Sequence, residues 1–152
     1  RAAFVGREPE FANLGFVIGT VGALGSAMHA AFDLANLANP SSAPSDLPSA
    51  VDPRGFATFA LTGIALGVFA VLGFRAHRLT VNAAVFVGAT AAVLVWVFIG
   101  RLTILDPTSP ALRPFTVALG LVLNPGTYVI FARAFGTASE ATSLRTSAAA
   151  LA

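Results

Sequence analysis

Four apolar runs, separated by short polar stretches, dominate the chain. They lie at about 14–37, 56–74, 79–104 and 115–135. Each is near or above the ~20 residues that cross the hydrocarbon core of a bilayer. Lipid offers no water to backbone N–H and C=O groups, so a run of this length must be a helix or part of a closed barrel. Barrel strands would show segments of about ten residues alternating apolar and polar, and that alternation is absent. The pattern therefore predicts an all-α, polytopic integral membrane protein, a bundle of four transmembrane helices over residues 1–136 followed by a polar tail at 137–152, expected to be mobile.

The polar stretches between the runs read as connections. Residues 38–54 (ANPSSAPSDLPSAVDPR) are rich in Pro and Ser and predict a surface loop. The link RAHR at 75–78 is so short that the second and third helices must be antiparallel neighbours. DPTSPALRP at 106–114 carries three prolines and ends the third helix. Pro9 suits the first turn of a helix. The chain starts at Arg1 with no leader-like pattern, and RAAFVGREPE reads as the interior of a longer protein.

Composition narrows the chemistry. Of 152 residues, 56% are hydrophobic and 11% charged, whereas a water-exposed surface carries roughly 25–35% charge. The net charge of +2 is too small and too scattered for a nucleic-acid surface. With no cysteine and no lysine, disulfides, thiolate ligands, Schiff bases and a Walker A loop are excluded. The Ala-, Gly- and Arg-heavy composition suggests a bacterial plasma-membrane protein.

Within the apolar runs, small residues recur at helical spacing. Gly15/Gly19, Gly63/Gly67 and Gly88/Ala92 are small-xxx-small pairs that let helix backbones approach. Trp96 fits either the interfacial aromatic belt or the bundle core. Asn124-Pro125-Gly126 interrupts the fourth run, and Pro125 predicts a kink there. Such a break is structural in the simplest reading and lines a binding site in some transporters.

One polar constellation stands out. His29 and Asp33 are four residues apart and share a helix face, which Asn36 continues. At about 1.5 Å per residue, His29 lies about 22 Å along the helix from Leu14, toward the loop-side leaflet. Asp52 and Arg54 lead into the second helix, and Arg101 and Asp106 close the third. All reach the same level. Pairing Asp33 with Arg101 or Arg54 would offset part of the cost of placing charge in a membrane. The cluster is either a fold-stabilising set of ion pairs or a substrate site.

No metal or cofactor site emerges. His77, in the RAHR turn, belongs to the opposite side from His29 and cannot join it at a metal or haem. No G-x-S-x-G elbow or HExxH helix is present. An enzyme would have to use His29 and Asp33 as base and orienter.

The segments VDPRGFATFALTGIALGVFAVL, FIGRLTILDPTSPALRPF and LNPGTYVIFARAF, with HAAFDLAN at His29 to Asn36, resemble a group of small polytopic bacterial membrane proteins of unknown function. In that group DPRG opens one helix and a GRL…LDP…P stretch closes another. The resemblance implies further helices before residue 1. It marks Asp33, Asp52, Arg54, Arg101 and Asp106 as recurrent positions and implies no chemistry.

Two functions fit. The first is a non-catalytic accessory or scaffold subunit that packs with other membrane subunits or with itself in the bilayer. The second is a small transporter or a lipid- or quinone-binding protein built on the His/Asp/Arg cluster. Six arginines fall on the side of the termini and RAHR turn and three on the side of the two proline-rich loops, which places the termini in the cytoplasm. A cysteine replacing Ser42 is accordingly expected to react with a membrane-impermeant maleimide from outside intact cells. Labelling only after cell lysis would reverse the orientation.

Overall fold

A computed structural model describes residues 8–38, 55–104 and 109–149, without the side chains at 36, 102–104 and 137–149. The protein is an all-α four-helix bundle. Helix α1 is Pro9–Ala38. Helix α2 opens with a π-helical turn, Phe56–Leu61, and continues as Thr62–Arg75. Helix α3 is Val81–Ile104. Helix α4 starts as Arg113–Ala118, passes through a second π-helical turn, Leu119–Leu123, and runs on as Asn124–Ala149. Four spans, Pro9–Ala35, Phe56–Arg75, Val81–Arg101 and Arg113–Gly136, are long and apolar enough to cross a membrane.

The ends of these helices differ from the hydrophobic pattern for identifiable reasons. Helix α1 begins at Pro9, where a missing N–H costs nothing. Helix α3 begins at Val81, two residues into its apolar run, because the N–H of Leu79 is committed to the carbonyl of Gly73 at 3.0 Å. Thr80 then caps the helix, its Oγ1 accepting from the N–H of Ala83 at 3.3 Å. The polar residues expected as a mobile tail instead prolong α4 to Ala149.

The tight turn between α2 and α3 has a defined geometry. His77 adopts φ 55°, the left-handed region. Its N–H donates to Phe74 O (3.0 Å) and that of Arg78 to Gly73 O (2.9 Å), the two bonds of a Schellman stop. Leu79 then folds back onto Gly73, whose missing Cβ leaves room for the leucine side chain. At the other end, Leu112 is 1% exposed and packs onto Gly100 of α3. That contact seats the start of α4.

Packing runs in chain order: α1 on α2, α2 on α3, α3 on α4. Helix α1 presents Gly15, Gly19, Gly22 and Gly25 to α2. A Cβ built on Gly22 would stand 2.5 Å from Thr62 Oγ1, and one on Gly25 would strike Ala57. Gly63 lies against α3, where a Cβ would be 2.9 Å from the carbonyl of Ala91. Gly88 and Ala92 behave differently. Nothing lies within 4 Å of a Cβ on Gly88, and Ala92 is exposed, so this pair is not a close helix contact. Between α3 and α4, Thr127 donates to Thr90 (3.2 Å) and Thr90 to Phe86 O (3.0 Å). Each such polar bond contributes about 0.6 kcal/mol in a membrane bundle. Glu8 and Arg75 pair at 2.9 Å, bringing the start of α1 to the end of α2.

The bundle buries many small residues and leaves many large apolar ones exposed. Ala12, Ala60, Ala65 and Ala70 are in the interior, while Leu24 (61% exposed), Leu121 (75%) and Val85 (65%) face outward. Trp96 is also outside, edge-on to Phe115 at 6.4 Å. Water would penalise such an arrangement, and hydrocarbon does not.

These glycines make different predictions. Gly25→Ala is expected to destabilise the bundle by about 1–3 kcal/mol through overpacking. Gly88→Ala is expected to cost nothing. Unfolding in mixed micelles, followed by circular dichroism, measures both.

Candidate functional site

A 650 Å³ cavity lies inside the bundle and draws its walls from all four helices. Helix α1 contributes Ser26, His29, Ala30 and Asp33. Helix α2 contributes Thr58, Phe59, Thr62 and Leu66. Leu94 and Arg101 come from α3, and Thr116, Leu119, Gly120, Asn124, Thr127, Tyr128 and Phe131 from α4. Its volume falls within the roughly 300–1,000 Å³ of small-molecule sites. Buried Leu94, Val97 and Leu119, with Phe59, Leu66, Val93 and Leu123 against them, form its apolar backing.

Phe59 organises the polar end. The Arg101 guanidinium carbon stands 4.8 Å from the centroid of its ring. The His29 ring meets it edge-on, with centroids 6.4 Å apart and planes at 84°. His29 Nε2 is 3.6 Å from Asp33 Oδ2. Among the described residues Asp33 thus faces His29, while Arg54, one of the two arginines that the sequence offers it, lies outside them. Arg101 lies over an aromatic face, in the last turn of α3 where a cation interacts favourably with the helix dipole.

The sequence constellation is therefore assembled in part. His29, Asp33 and Arg101 share one cavity. Asp52, Arg54 and Asp106 lie outside the described residues, as does the side chain of Asn36. The Asn124-Pro125-Gly126 triplet divides its labour. Asn124 lines the cavity, Pro125 is exposed, and Gly126 lies where a Cβ would come 2.7 Å from the Phe86 ring. The π-helical turn ends just before Pro125, with the N–H of Asn124 bonded to Leu119 O. This widening of the helix accompanies the donor that proline lacks.

Several lining residues carry no motif. Thr58 and Thr62 are four apart on α2, and Thr127 and Tyr128 follow Asn124, which its neighbouring proline already marks, at three- and four-residue spacing on α4. Helical spacing of polar groups inside apolar runs is the one signal that points to them. Phe59 gives no sequence signal at all among 13 phenylalanines.

The buried His29 Nδ1 and Thr58 Oγ1 on this wall have no hydrogen-bond partner among the described residues. Leaving such an atom unsatisfied costs about 1–3 kcal/mol. Among the described residues no group of three or more His, Cys, Asp or Glu side chains is placed to hold a metal. No family model, curated protein or solved structure matches the chain.

A double-mutant cycle of Phe59→Leu with Arg101→Gln is expected to show coupling of about 0.5–2 kcal/mol in mixed-micelle unfolding. Strict additivity would mean that the ring does not hold the guanidinium.

Proposed function

We propose that this protein is a membrane-embedded binding protein for a small amphipathic molecule, taken up in the cavity between the four helices. The observation that carries this reading is the cavity itself. Polar side chains inside a bilayer are costly, and here those of His29, Thr58, Asn124 and Arg101, from four different helices, line one space. A purely structural cluster would close on itself through mutual hydrogen bonds. Here two buried polar atoms keep their bonding capacity for whatever fills the cavity.

The scaffold reading has an observation of its own. A second, shallower groove of 410 Å³ runs outside the bundle between α2 and α3, past Gly67, Ala70, Val71, Val81, Ala84 and Gly88, with no polar lining. Small residues there would let a neighbouring helix approach closely. That surface bears on assembly and leaves the polar interior unexplained, so binding is the better account of the whole. A bacterial plasma membrane with cytoplasmic termini fits the arginine distribution.

Purification in mild detergent followed by native mass spectrometry tests the reading. A non-protein adduct of lipid-like mass, retained by the wild type and depleted in Leu66→Trp, which fills the cavity, is expected. A wild type that carries a stoichiometric protein partner and no lipophilic adduct would favour the scaffold.

A further inference from the structure

The mouth of the cavity can be located from exposure alone. Among its lining residues, every exposed one is on α1 or α4: Ala30, Asp33, Gly120 and Tyr128. Every lining residue from α2 or α3 is at least half-buried. These two outer helices also share no extensive interface among the described residues, whereas each consecutive pair does. At the far end Phe135 of α4 packs against Ala12 and Leu72. The cavity therefore opens sideways, between α1 and α4, at the level of apolar spans that fit a bilayer.

The chemistry of the wall defines what it accepts. A hydroxyl has one proton and two lone pairs. Ser26 has donated its proton to Gly22 O (3.0 Å), Thr62 to Ala57 O (3.4 Å), Thr116 to Arg113 O (2.9 Å) and Thr127 to Thr90 (3.2 Å). All four line the cavity with lone pairs only. His29 Nδ1, buried in the same wall, accepts when the ring carries its proton on Nε2, the nitrogen that faces Asp33. Asp33 itself accepts. The wall is thus rich in acceptors and asks its ligand for donors. A cationic ligand would supply them and be drawn to Asp33, but Arg101 in the same space opposes it. An anionic ligand could accept from Arg101 but would leave these lone pairs unanswered and would meet the Asp33 carboxylate. An uncharged hydroxylated head satisfies both conditions, and its own oxygens can accept from Thr58 and Arg101.

We propose that the cavity binds a neutral amphiphile with a hydroxyl-bearing head, which enters from the bilayer through the gap between α1 and α4. This rests on the binding function proposed above and adds the class of ligand and its route.

The test uses the intact protein in amine-oxide micelles, which carry no hydroxyl head, with native mass spectrometry as readout. The probes are decylglycerol, its dimethyl ether, which keeps the oxygens and loses both donors, and decanoate. Decylglycerol is expected to bind one to one, and the other two at least tenfold more weakly. Gly120→Phe is expected to reduce decylglycerol binding at least tenfold, because a side chain there enters open space at the mouth and displaces nothing. Gly136→Phe, equally unobstructed but away from the cavity, is expected to bind like the wild type. Equal binding of the dimethyl ether or decanoate would overturn the ligand class. Undiminished binding by Gly120→Phe, or an equal loss in Gly136→Phe, would overturn the route. If a retained lipophile is found on purification yet no probe binds, the ligand class fails and the cavity function stands. If neither is found, both fail.

Discussion

The approach of α1 to α2 through bare backbone governs the rest of the molecule. In hydrocarbon the hydrophobic effect does not press helices together, so contact must come from dispersion between closely apposed atoms and from polar bonds. Gly15, Gly19, Gly22 and Gly25 remove the side chains that would hold the two helices apart. They also fix the rotation of α1. Ser26 and His29 lie four residues beyond Gly22 and Gly25, on nearly the same face. With the glycines committed to α2, Ser26 and His29 must face the bundle interior. The polar wall of α1 thus follows from its apolar packing.

The two π-helical turns act at the level where that packing gives way to the cavity. Phe56–Leu61 supplies Thr58 and Phe59, and Leu119–Leu123 supplies Leu119 and Gly120. A π turn accommodates an extra residue in the helix and shifts the side chains that follow it. In α4 it is coupled to Pro125. In α2 it coincides with the tightest part of the glycine contact, where Gly25 meets Ala57 and Gly22 meets Thr62. The α2 and α4 walls of the site are therefore built from backbone that departs from a regular helix beside a close contact or a proline.

The fold was legible in the chain because one quantity, the length of apolar runs, decides it. Pairing was legible less evenly. Gly15/Gly19 and Gly88/Ala92 have the same spacing, yet one touches a neighbouring helix and the other opens to the outside. Spacing fixes which residues share a face, not which face meets a partner. The site was legible to the same degree. His29, Asp33 and Arg101 stand out because charge is rare in these runs, and the structure brings them together. Phe59 does not stand out, although it contacts two of them, because an aromatic residue in an apolar helix has no distinguishing mark. The pairing of Asp33 with Arg101 or Arg54 was reasoned from charge alone, and the neighbour that Asp33 shows is His29 on its own helix. Charge alone also gave no sign of the aromatic face that Arg101 lies over.

The axial asymmetry of the bundle bears on what the cavity can do. At the loop end the walls carry His29, Asp33, Thr58, Arg101 and Thr116. Deeper in, Leu66 and Phe131 take over, and beyond them Val68, Phe69, Leu72, Ala12 and Phe135 pack without a polar side chain among them. An ion or a water-soluble solute would meet an apolar plug with no group to replace its hydration. An amphiphile meets no such barrier, because only its head needs the polar end and its chain can remain in the lipid beside α1 and α4. In this conformation the structure is a pocket closed at one end and open to the side, which suits a bound lipid-like molecule better than a conducted one.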